Sequence, residues 1–239
     1  MAESPIGAVA PRSAVASYVR RVTINDLQLL RYGLMCATVL FAFINGLRIP
    51  GPRGPVYGPL VVMLGIESVV ECVGAYTSLN GIRNNPMFNA YVLVEFVLLL
   101  WLVFRLRPHW RTALGAALVL GVGAWALSFG RRGNAHFMFT DAIMVMSLLL
   151  AVFFLVLLWQ LAESSDEPLT RRSHFWLFLG LVIYFGALFP IIGPLEYLWD
   201  SYPALTRNLY IIITVLAITR HVLTGVAAVM ERRHRGPHP

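Results

Sequence analysis

The sequence predicts an all-α polytopic membrane protein, a seven-transmembrane-helix bundle. Three observations carry that expectation. Mean hydropathy is +0.69 and only 13% of residues are charged, where soluble domains carry roughly a quarter. Several apolar stretches exceed about 18 residues, enough to cross a hydrocarbon core ~30 Å thick. The 19 basic residues, every one an arginine, gather mainly between those stretches and at the chain's ends. With most of 239 residues in spans, little chain remains for a second globular unit.

The spans follow in order. Residues 1–26 mix Ala, Pro, Ser and Arg, and Pro11 and Arg12 interrupt any signal-peptide core, so a mobile N-terminal tail is expected. The membrane domain is expected over 27–229. Its first span runs about Leu27 to Leu47 and stops at R-I-P-G-P-R-G-P, and the second runs about Tyr57 to Leu79. The short segment Asn80 to Pro86 makes span three, ending near Leu106, an antiparallel neighbour of span two. Span four, about Thr112 to Phe129, is rich in Ala and Gly, which let helices approach closely. Span five covers about Phe139 to Leu161. Span six covers about His174 to Ile192 and is expected to break at P-I-I-G-P, before a short aromatic segment. Span seven runs about Ala204 to Val229, leaving 230–239 as a basic C-terminal tail.

Alternating the spans puts seven loop arginines on one side (48, 53, 105, 107, 111, 171, 172) and four on the other (83, 131, 132, 207). Counting termini and helix edges, the division is eleven against eight, with Arg220 among the eleven. By the positive-inside rule the amino terminus faces outside and the carboxyl terminus the cytoplasm. The +7 charge therefore serves orientation, and no nucleic-acid partner is expected.

Acidic residues inside the apolar runs are the candidate site. Glu67, Glu71 and Glu95 stand where an ionisable group costs on the order of 3 kcal/mol even on lenient scales. Glu67 and Glu71 are one helical turn apart on one face. Asn84, Tyr91 and Glu95 share a stripe of span three, with Asn85 and Asn89 beside it. Asp141, Tyr184 and Asn208 complete the candidate ligand-, ion- or proton-binding set, with His136, Glu196 and Asp200 entering from the same end. Two readings stay open: a hydrated pocket opening outward, or neutral, hydrogen-bonded side chains that merely hold helices together.

Other chemistry is narrowed. A retinal Schiff base needs a lysine amine, and the chain has no lysine. Haem ligation has only the scattered His109, His174 and His221, and Arg220-His221 reads as a cytoplasmic edge of span seven. Cys36 and Cys72 have no metal-ligand spacing and read as buried small hydrophobes. Trp and Tyr near helix ends, Tyr57 among them, fit an interfacial belt. No catalytic residues, metal ligands or cofactor are expected, and no nucleophile elbow or phosphate loop is present.

The combination E-x-x-x-E, N-N-x-x-F-N-x-Y-x-x-x-E, H-F-W-L-F-L-G-L-V-I-Y-F-G and L-T-R-N-L-Y resembles a group of small uncharacterised bacterial integral membrane proteins. The matching positions are Glu67, Glu71, Asn84, Asn85, Asn89, Glu95, Phe175, Trp176, Gly180, Tyr184 and Asn208, across spans two, three, six and seven. The resemblance implies seven helices and a bacterial inner membrane, and it brings no activity. The leading expectation is a non-enzymatic sensor- or receptor-like protein whose outward-opening polar pocket binds a small ligand or ion. Its partners would be the lipid bilayer and a membrane or cytoplasmic protein. The alternatives are a proton-coupled transporter using the same carboxylates, and an accessory subunit of a larger membrane complex.

Overall fold

The structure is a computed structural model. It describes residues 12–132, 138–164 and 167–235, with side chains from residue 28 onward except those of Arg132, Glu196, Trp199, Asp200 and Pro203. Among these residues all regular structure is helical, and seven helices are long and apolar enough to cross a membrane. They are α1 (Arg12–Leu47), α2 (Gly54–Leu79), α3 (Asn85–Leu106), α4 (Arg111–Arg132), α5 (Thr140–Glu163), α6 (Ser173–Ser201) and α7 (Pro203–Arg235).

Each helix packs on the next in sequence, and α7 returns to α1, closing a ring. α3 also touches α5, which leaves α4 the most peripheral member. The outer faces carry Val62, Val69, Val119, Leu127, Val152 and Leu155, all exposed, as lipid contact requires. The inner faces share one apolar core that includes Val39, Leu64, Phe96, Leu99, Met146, Phe154, Leu177 and Ala227.

Local chemistry explains the ends. α2 and α3 each have proline in their first turn, where the missing N–H costs nothing. Between them Gly81 adopts φ +69°, the left-handed conformation that lets five residues reverse the chain. Gly180 lets α6 sit against α7: a Cβ there would lie 3.1 Å from Leu223 and 3.5 Å from the Arg220 carbonyl.

Four expectations are corrected. α1 begins at Arg12, so much of the tail expected over 1–26 is helical, although its membrane-length segment is Gln28–Leu47. α6 does not break at Pro190 or Pro194 but continues to Ser201. A proline frees only the carbonyl one turn back, which membrane helices accommodate readily. α7 continues to Arg235, so the basic tail expected from residue 230 is helical for its first six positions. Cys36 is half-buried and Cys72 exposed, and neither is in a disulfide.

Candidate functional site

Three helices bring charge to the middle of the bundle. Glu67 lies about midway along the α2 span, Glu95 midway along α3 and Arg220 midway along α7. All three are buried, at 1%, 5% and 3% exposure. The Arg220 guanidinium donates through one terminal nitrogen to Glu67 Oε1 and through the other to Glu95 Oε1. Its face lies over the Tyr184 ring, 4.3 Å from the centroid, with Phe185 at 5.9 Å.

Two neighbours extend the cluster. His221, 1% exposed, brings Nε2 within 2.9 Å of Glu67 Oε1. The Tyr91 hydroxyl donates to Glu95 Oε1 at 3.2 Å from one turn earlier on α3. Within this cluster two buried polar atoms, Glu67 Oε2 and His221 Nδ1, have no hydrogen-bond partner among the described residues.

The cluster forms the floor of a cavity of about 160 Å³. Its lining climbs from Glu67 to Glu71 on α2 and from Glu95 to Phe88 on α3, towards the end that carries the α2–α3 turn. On α7 it climbs from Arg220 to Tyr210, and on α6 from Tyr184 to Ile192. The walls alternate polar groups with Met146, Ile143, Leu188 and Ile213, so the space is amphipathic rather than uniformly polar. Glu71 is half-buried on this wall and makes no hydrogen bond or ion pair with a described residue.

The opposite end is tied shut. The Ser173 hydroxyl donates to Glu231 Oε2 at 2.6 Å, and Arg235 Nε lies 2.6 Å from Glu231 Oε1. Arg235 also donates to the Pro52 carbonyl at 2.6 Å, fastening α7 to the α1–α2 loop. The Tyr57 hydroxyl donates to the Ala227 carbonyl at 3.3 Å, and its ring packs beside His174 at 5.9 Å. Tyr57 is 1% exposed, so it belongs to this closure and not to an interfacial belt.

Compared with protein-family models, curated proteins and solved structures, the chain matches none.

Five of the ten candidates line the cavity: Glu67, Glu71, Tyr91, Glu95 and Tyr184. The other five do not. Asn84 donates to Ser78 Oγ at 2.8 Å and to the Gly74 carbonyl at 3.2 Å, stitching the α2–α3 turn. Asn89 is buried but points the other way. Its side chain accepts from the Phe139 backbone N–H at 3.0 Å, and its carbonyl accepts from Trp125 Nε1 at 2.9 Å. Asn85 is half-buried at the start of α3, and Asp141 and Asn208 are exposed. His136 and the side chains of Glu196 and Asp200 lie outside the described residues.

The sequence reading missed Arg220 and His221, which stand at mid-span instead of at a cytoplasmic edge. A signal was there. Arg220 precedes Arg232 by twelve residues, or about 18 Å along a helix, too far for both to reach one interface. In a chain without lysine, buried carboxylates also had few possible counter-charges. Moving Arg220 to the interior changes the arginine division from eleven against eight to ten against eight, and the loop count of seven against four is untouched.

Proposed function

We propose that this membrane protein is a receptor-like sensor that binds a small ligand or ion in the central cavity and converts occupancy into a shift of α7 against α2 and α3. The amino terminus faces outside and the cavity opens outward, an orientation supported by the loop arginines. The membrane is a bacterial inner membrane, and a membrane or cytoplasmic partner receives the change.

One observation carries the reading: Arg220 of α7 is held jointly by Glu67 of α2 and Glu95 of α3 on the floor of a cavity. A buried ion triad is a poor source of stability, since an apolar core of similar volume does as well or better. Within a membrane it is costlier still. It makes a good switch, because a ligand that engages the carboxylates competes with Arg220 and weakens the ion link between α7 and the α2–α3 pair. Such a ligand favours one helix arrangement over another, which is what a conformational response requires.

The test is thermal stability of the purified chain in detergent across a ligand and pH panel. The wild type is expected to respond to some members, and the Glu67→Gln/Glu71→Gln/Glu95→Gln variant to lose that response. Identical responses throughout the panel would refute the pocket.

A second reading, proton-coupled transport, is favoured by His221 on Glu67 and by the tied-off opposite end, which together resemble a relay beneath a closed gate. It calls for flux driven by a pH gradient in tight vesicles and abolished by Glu67→Gln. No flux of any candidate would set it aside.

A further inference from the structure

Resting on the ligand-cavity reading, we infer that the occupant is a small organic cation with an apolar body, such as a protonated primary amine. The cavity wall carries three carboxylates, Glu67, Glu71 and Glu95, against the single guanidinium of Arg220. That guanidinium is already engaged. Both terminal nitrogens are committed to carboxylates and one side is covered by Tyr184 at 4.3 Å.

Two acceptors on the wall have bonding capacity to spare. Glu67 Oε2 is buried without a partner, and Glu71 stands one turn above it with no hydrogen bond or ion pair to a described residue. An acceptor stranded in low dielectric is costly, and an ammonium N–H is the donor that relieves it best. Tyr91 and Phe88 also border the cavity, and an aromatic face beside a bound cation attracts it.

The rest of the lining disfavours a bare metal ion. Ca²⁺ takes about six to eight oxygen ligands, whereas Ile143, Met146, Leu188 and Ile213 make much of the remaining wall apolar, beside the hydroxyls of Ser147, Tyr210 and Thr214. Among the described residues no three His, Cys, Asp or Glu converge closely enough to hold a metal. Size sets the limit. A cavity of about 160 Å³ suits a charged head with a short chain or one ring.

Six probes in two shapes and three charge states test this on the full chain in detergent at fixed pH and ionic strength. They are butylammonium, butanol and butyrate, and benzylammonium, benzyl alcohol and benzoate. An ammonium probe is expected to raise the unfolding midpoint by on the order of 5 °C at a hundredfold excess over its Kd. Glu71→Gln is expected to weaken its binding about tenfold, while the exposed, off-cavity Asp141→Asn keeps the wild-type response. An equal or larger shift from an alcohol or a carboxylate overturns the cation assignment and leaves the cavity a ligand site. Silence from all six overturns the cavity reading and this inference with it.

Discussion

Replacing Arg220 by methionine tests the central ion triad most directly. The change keeps a long apolar stem in α7 and removes the group that both Glu67 and Glu95 contact. Breaking a buried ion pair from one side costs about 3–5 kcal/mol, because the partner is left charged and dry. Here two carboxylates lose the same partner, at 1% and 5% exposure, so the upper part of that range applies. For a chain of this length each kcal/mol moves the midpoint by about 2–4 °C, giving a fall on the order of 10 °C. The decisive variant is Arg220→Met/Glu67→Gln/Glu95→Gln, in which no charge is left unpaired at the floor. Coupled residues are non-additive, so this triple variant is expected to recover most of the lost stability. The assay is the thermal midpoint in detergent for wild type, Arg220→Met, the double Glu→Gln variant and the triple. If the triple variant falls by the sum of the other two, the three side chains do not act as one unit and the reasoning fails.

Three further outcomes are expected. Ser173→Ala removes a 2.6 Å donor to Glu231 and is expected to cost about 1.5–3 kcal/mol; proteolytic sensitivity of the α1–α2 loop is the readout, and no change would deny that the end is tied by this contact. Asn89→Leu orphans the Phe139 N–H and is expected to cost about 1–3 kcal/mol, whereas exposed Asn208→Ala stays within about 0.5 kcal/mol of wild type; equal thermal midpoints for the two would contradict the packing role of Asn89. In a chain freed of its native thiols, Ile82→Cys and Arg107→Cys are expected to label from opposite faces with a membrane-impermeant maleimide, Ile82→Cys in intact cells and Arg107→Cys only after lysis. The reverse pattern would invert the topology.

How much of the site was legible differs from residue to residue. Glu67 and Glu71 share a face by helical spacing alone, and both line the cavity. Tyr91 and Glu95, four apart on α3, likewise meet as the period requires. Asn89 had the same credentials in the sequence yet turns to α4 and α5, because only packing decides which side of a buried helix faces the centre. Arg220 was misplaced for a related reason. An arginine between apolar runs can end a span or cross one, and its carboxylate partners lie 125 and 153 residues away.

The sequence by itself determined seven membrane-length helices, the short α2–α3 turn and the presence of acid at mid-span. These follow from hydrophobic run length and from breaker residues, which act locally. Tertiary structure alone decided that α6 runs through its prolines, that α7 carries the counter-charge, and that one end is tied while the other encloses a cavity. Those outcomes depend on groups remote in sequence meeting in low dielectric. A buried charge must find a partner there, and the closing of the helix ring selects which one it finds.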